Sequence, residues 1–123
     1  VFDRPLISML KSMGKSITCC VRGKPAMDDA LEEDFRSARL HEFADLVDTG
    51  SGFLGLVLEI APEETLNAFR EADLVISKGM GNLETLMDLH DERIFFLFKA
   101  KCDRIARIIG VEKDDICFVR QTA

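Results

Sequence analysis

The chain has 123 residues, room for one compact domain with its own core and too few for two of ordinary size. Its 47% hydrophobic and 31% charged residues give a globular composition and exclude a disordered chain. A formal net charge of −6 argues against a general nucleic-acid binder, which needs a basic face, and no apolar run approaches the roughly 20 residues of a membrane span.

Asp3 and Arg4 precede any apolar stretch, so no secretory signal is legible and a cytoplasmic protein is expected. Leu6, Ile7, Leu10 and Met13 recur at helical spacing, with Pro5 suited to a first turn and Gly14 to a C-terminal cap. Ile17 to Val21 reads as a short strand, ended by Arg22-Gly23-Lys24-Pro25. Asp28 or Asp29 can cap a second helix that buries Leu31, Phe35 and Ala38. Leu46-Val47-Asp48 reads as the next strand, closed by Thr49-Gly50-Ser51-Gly52.

Pro62 with Glu63 and Glu64 opens a third helix, where acidic side chains suit the macrodipole; Leu66 and Phe69 supply its inward stripe. Leu74 to Ser77 and Ile94 to Phe98 are unalternating apolar runs, the pattern of parallel strands covered on both faces. A helix from about Lys101 to Ile109 would bury Ile105, Ile108 and Ile109. Gly110 ends it, and Ile116 to Val119 forms the last strand. This alternation predicts an α/β fold: a mostly parallel sheet in a three-layer α/β/α sandwich, as one domain over residues 1–123.

Cys19, Cys20, Cys102 and Cys117 form no CxxC pair, and His41 and His90 lack zinc-ligand spacing. The cysteines read as free thiols packed as small hydrophobes in a reducing compartment. Three polar, glycine-rich segments leave strands at the edge where open α/β sheets bind ligands. They are Arg22 to Asp29, Asp48 to Gly52, and Lys78-Gly79-Met80-Gly81-Asn82.

In the last of these, Gly79 and Gly81 would let backbone N–H groups approach an anion, and Asn82 can cap the following helix. Lys78 would place a point charge at the strand end. A plain strand-to-helix turn explains the same residues, and the segment is neither a P-loop nor a complete GxGxxG. Asp28 and Asp29 suit either a helix cap or a hard divalent cation. Lys99, Lys101 and Arg104 form a basic group that is either a solvated face or part of a phosphate site.

Ala72 to Leu86, with its Ser77-Lys78-Gly79-Met80-Gly81-Asn82 centre, resembles the signature of the damage-control phosphatases, domain-of-unknown-function family eighty-nine. Phe96 to Cys102, Val21 to Pro25 with Asp28-Asp29, and Val47 to Gly50 match further segments in the same order. The resemblance implies a Rossmann-like core and a metal-dependent phosphatase acting on phosphomonoesters of small metabolites. It implies a metal ligand and catalytic carboxylate at Asp29 and a catalytic Lys78. Gly79, Gly81, Asn82, Lys99 and Arg22 would lie on the substrate side. The implied cofactor is a divalent ion: Mn²⁺, Mg²⁺, Co²⁺ or Ni²⁺.

The family's Asp-Asn-x-Gly-Glu metal motif is not in this sequence, and Val1 is not an initiator Met. The expectation is therefore the C-terminal portion of a larger domain, inactive alone and able to self-associate or pair with an N-terminal segment. The partner expected is a small phosphorylated metabolite, with no nucleic acid and no membrane. The rival is a non-catalytic domain that binds a phosphometabolite or nucleotide. A methyltransferase reading finds no acidic ribose-binding residue after a glycine loop.

Overall fold

The computed structural model describes residues 2–122, which cluster into two compact units. One holds the residues up to Phe53 with Leu58–Arg70; the other holds Leu54–Val57 with the residues from Glu71 onward. The architecture is mixed α/β, and two of its three strand pairings are parallel. Hydrogen bonding divides the strands into a two-stranded sheet, β1-β2, and a three-stranded sheet, β3-β4-β5.

In the first unit, α1 (Arg4–Ser12) begins with Pro5 in its first turn, where the missing N–H costs nothing. Only Ile7 of its apolar stripe is buried; Leu6, Met9 and Met13 are exposed. Strands β1 (Thr18–Val21) and β2 (Asp45–Asp48) run parallel, with Val21 opposite Asp48 at their carboxyl ends. Between them, α2 (Glu32–Ser37) buries Phe35.

That helix starts later than a cap at Asp28 or Asp29 would place it. The Arg22 N–H donates to the Ala30 carbonyl (2.9 Å) and the Asp29 N–H to that of Ala26 (3.1 Å), folding residues 22–30 into a closed loop. The Asp34 carboxylate instead accepts the Leu31 N–H at 2.9 Å and satisfies a donor at the helix entrance. Helix α3 (Glu63–Glu71) follows Pro62 as expected, but its buried residue is Thr65, while Leu66 and Phe69 are half-buried.

In the second unit, β3 (Val75–Lys78), α4 (Met80–Leu86) and β4 (Ile94–Lys99) form a βαβ unit with Lys78 paired to Leu97. Helix α5 (Asp103–Ile109) then leads to β5 (Ile116–Arg120), which runs antiparallel to β4. Ala100 exchanges hydrogen bonds with Asp114 and Asp115, which returns the chain to the edge where β4 ended, so β5 starts there and runs back along β4.

Leu83, Leu86, Ile94, Phe96, Phe98, Ile105 and Cys117 form this unit's core. Burial alternates along β4: Ile94, Phe96 and Phe98 are buried, while Phe95 and Leu97 are half-buried on the other face. A continuous apolar run thus occupies a strand with one fully covered face within the described residues. Along α5 the buried pair is Ile105 and Ala106, whereas Ile108 is 53% exposed.

Arg93 joins the α4–β4 connection to β3. Its Nη2 lies 2.7 Å from Asp91 Oδ2, and its Nη1 donates to the Ala72 carbonyl at 2.7 Å. The Arg93 side-chain hydrogen bonds, then its backbone N–H, hold the Asp91 carboxyl below its usual range. A depressed carboxyl contributes stability that is present above its unfolded value, near pH 3.9, and is lost as pH falls through the folded value. Asp91→Asn should therefore destabilise the fold at pH 7 by no more than about 1 kcal/mol and lower the thermal midpoint accordingly. It should also flatten the decline below about pH 4; a melting series from pH 7 to pH 2 tests both.

Candidate functional site

Strands β1 and β2 end side by side, and the residues that follow them are locked together. The Thr49 N–H donates to the Val21 carbonyl (2.9 Å), and the Gly23 N–H donates to Thr49 Oγ1 (3.1 Å). The Thr49 hydroxyl in turn donates to the Ser51 carbonyl at 3.0 Å, and the whole residue is only 3% exposed. Asp48 Oδ1 accepts the Gly50 N–H at 2.6 Å, while the Asp48 carbonyl accepts the Thr65 hydroxyl at 2.5 Å. A Cβ on Gly23 would lie 2.7 Å from Gly50 N and 2.8 Å from its Cα, so only glycine permits this approach.

An open groove of about 520 Å³ adjoins this junction. Arg22, Gly23 and Asp48 line its strand-edge side, and Glu32, Glu33 and Arg36 its helical side. Arg22 Nε donates to Asp29 Oδ2 at 2.7 Å. The Arg22 side chain is 8% exposed and that of Asp29 is 42% exposed. The structure thus pairs Arg22 with the expected metal ligand. Asp28 is exposed.

In the second unit, Lys78 and Lys99 end neighbouring parallel strands. Lys99 lies two residues beyond Leu97, the partner of Lys78, so both lysines fall on one face at one sheet edge. Lys99 Nζ is 3.1 Å from Asp114 Oδ1 on the returning chain. Helix α4 begins at Met80 with Gly79 as its N-terminal flank, placing Asn82 inside the first turn rather than at the cap.

Asn82 serves as a staple. Its Nδ2 donates to the Lys78 carbonyl and its Oδ1 accepts the Leu56 N–H, both at 2.8 Å. The Gly79 N–H donates to the Leu97 carbonyl at 2.9 Å. A Cβ on Gly81 would meet Leu54 C at 3.1 Å, and one on Gly55 would collide with the Gly81 carbonyl oxygen. These glycines let segment 54–57 cross the turn at backbone distance. The Lys101 N–H points at Met80 Sδ, 3.2 Å away, tying the β4–α5 connection to the same turn.

Neither Cys19 nor Cys20 is an activated nucleophile. Partial burial raises the Cys19 thiol, with Asp3 adding to the shift. Cys20 is exposed as a residue, yet desolvation around its sulfur, opposed by Arg22 and reinforced by Asp48, pushes the thiol up to about 11. Oxygen donors suit a hard divalent cation in kind, and Asp29 Oδ1 accepts no hydrogen bond among the described residues. No group of three or more His, Cys, Asp or Glu that could hold a metal occurs among the described residues. Asp29 can therefore be one ligand of such an ion, not a complete set. No helix of the described residues is long and apolar enough to cross a membrane.

The βαβ unit and the two sheets define a mixed α/β chain, and the sequence comparisons give the family. Residues 1–117 match the damage-control phosphatase ARMT1-like domain, and the chain belongs to that family. It is 42% identical over 116 residues to a damage-control phosphatase of Archaeoglobus fulgidus, covering 94% of this chain and 40% of that protein. Damage-control phosphatase PH1575 of Pyrococcus horikoshii is 37% identical over 121 residues, covering 97% and 42%.

Uncharacterized protein MJ0202 of Methanocaldococcus jannaschii is 42% identical over 118 residues, covering 94% and 39%. The crystal structure of the DUF89 family protein PH1575 superposes with a TM-score of 0.94 at 35% identity, covering 98% of this chain and 43% of that one. The chain spans about two fifths of the length of the curated relatives it matches.

Sequence reasoning placed Thr49 within the Asp48 to Gly52 segment but gave it no role of its own, since a threonine between a strand-end Asp and a glycine carries little signal. Thr49→Val leaves the Gly23 N–H without its acceptor and should cost about 1–3 kcal/mol in urea denaturation. Gly23→Ala forces the two backbones apart and should cost a similar ~1–3 kcal/mol.

Proposed function

We propose that the protein is a metal-dependent phosphatase that hydrolyses phosphomonoesters of small metabolites. The observation that carries this reading is the common face and edge of Lys78 and Lys99 on the parallel pair β3–β4. Carboxyl ends of parallel strands are where α/β sheets bind ligands. Two ammonium groups there offset the charge of a phosphate, most strongly as that charge spreads in the transition state. The damage-control phosphatase names of the archaeal relatives agree with this chemistry.

Asp29 would hold the divalent ion (Mn²⁺, Mg²⁺, Co²⁺ or Ni²⁺), which when bound supplies Lewis-acid polarisation of a phosphoryl oxygen. Lys78 is the catalytic cation, with Lys99 beside it on the substrate side. Gly79, Gly81 and Asn82 contribute by fixing the course of the turn that follows Lys78. The substrate is a small phosphorylated metabolite. A second reading, a domain that binds such a metabolite without turnover, draws support from the Arg22–Asp29 pair, which is neutral without a cation.

Phosphate release from p-nitrophenyl phosphate by the full-length protein, across a panel of divalent ions, separates the two. Metal-dependent turnover is expected, with Lys78→Ala and Asp29→Ala each lowering kcat/KM by about 10²-fold or more. Wild-type turnover in both variants would sink the assignment. Ligand-induced stabilisation without turnover would favour the binding domain.

A further inference from the structure

We infer that Arg22 is a positioning residue for Asp29: it fixes one carboxylate oxygen so that the other, Oδ1, is presented to a cation. This rests on the reading of Asp29 as a metal ligand and deepens it. Arg22 grips the loop twice. Its main-chain N–H holds the Ala30 carbonyl at 2.9 Å, and its Nε holds Asp29 Oδ2 at 2.7 Å. The Asp29 N–H is itself spent on the Ala26 carbonyl at 3.1 Å. Next along the chain, Gly23 is fastened to Thr49 and pressed against Gly50. The carboxylate is therefore anchored through a rigid strand end.

Exposure separates the two partners. A guanidinium that is 8% exposed is placed to be neutralised by the protein, since a buried charge without its partner is costly. A role in gripping substrate phosphate would need guanidinium surface open to the ligand, and only 8% of this side chain is exposed. Asp29, at 42% exposure, has its second oxygen available to an incoming ion. Groups that orient a metal ligand without touching the metal commonly change affinity 10–100-fold when removed.

Two simple arguments give opposite signs, which makes the question decidable. If Arg22 acted only through its charge, removing it would lessen repulsion of a divalent ion and tighten binding. If it acts by holding Asp29 in place, removing it weakens binding. The probe is Mn²⁺ alone, titrated calorimetrically into full-length wild type, Arg22→Gln, Arg22→Lys and Asp29→Ala, with urea midpoints confirming that each is folded.

The expected result is a Kd for Mn²⁺ about 10–100-fold higher in Arg22→Gln, with partial recovery in Arg22→Lys. The KM for p-nitrophenyl phosphate at saturating Mn²⁺ should stay within about twofold of wild type, as expected of a residue that does not touch substrate. Unchanged or tighter Mn²⁺ binding in Arg22→Gln, with Asp29→Ala weakened, would overturn this inference and leave the metal assignment standing. So would a KM raised about tenfold at saturating Mn²⁺, because a group in contact with phosphate gives that signature. Equal Mn²⁺ affinity in wild type and Asp29→Ala would remove the metal reading and this inference together. If Arg22→Gln does not fold, Arg22→Lys decides alone: it keeps the charge but lacks the Nε–H, and an unchanged Kd in it overturns the inference.

Discussion

The carboxyl ends of β1 and β2 meet at backbone contact, with a built Cβ on Gly23 only 2.7 Å from Gly50 N. That proximity sets the order of its unit. It requires the parallel register that places Val21 opposite Asp48. It turns the chain outward at Arg22, so that residues 22–30 close on themselves before α2 begins at Glu32. It also brings Pro62 against Gly50, where a Cβ would lie 2.8 Å from the proline ring, and so fixes where α3 starts. Thr49 supplies the polar complement, because two backbones this close leave little room for water to satisfy their N–H and C=O groups. A single hydroxyl that accepts from one loop and donates within the other meets both needs.

The second unit solves a related problem with a longer strand. Its βαβ unit brings Lys78 and Lys99 to one edge, and the seven residues of α5 bring the chain back to that same edge. The antiparallel return lets Asp114 reach Lys99. Both partners of that ion pair are substantially solvated, so it adds little stability, and its main effect is to constrain where the lysine head group lies. Segment 54–57 is held over the β3–α4 turn through Asn82, with Gly55 and Gly81 removing the side chains that would obstruct it.

Much of this was legible where one residue type has one physical use. Pro5 and Pro62 marked helix starts, Gly110 marked the end of α5, and all five strands lie within two residues of their apolar runs. The second helix was misplaced because Asp28 and Asp29 satisfy any rule for an N-cap, while Asp34, the residue that serves the entrance, sits inside an acidic run that reads as surface. Ile94 to Phe98 suggested two covered faces, since hydropathy records which side chains tolerate burial and not which are buried. The same limit explains Ile108: helical spacing admitted it to the inward stripe, but Ala106, small enough for close packing, faces the core. Register and strand direction depend on long-range hydrogen bonds that no local pattern encodes.

The candidate site shows a further reason why motif and role diverge. Glycines beside a lysine at a strand end are the expected mark of an anion loop, and the course of the chain also demands them here, Gly81 by close approach and Gly79 by its φ of +86°. Gly81 must admit Leu54 and Gly55, Gly79 spends its N–H on Leu97, and Asn82 spends its amide on two backbone groups. A sequence signature of this kind therefore reports the shape of the turn first and its ligand second. The groups that remain suited to chemistry are the charged side chains at strand ends and in the loop after β1, among them two that stand in ion pairs: Asp29 with Arg22, and Lys99 with Asp114. Such pairing lets a charged group be held in one orientation without the full cost of an isolated charge.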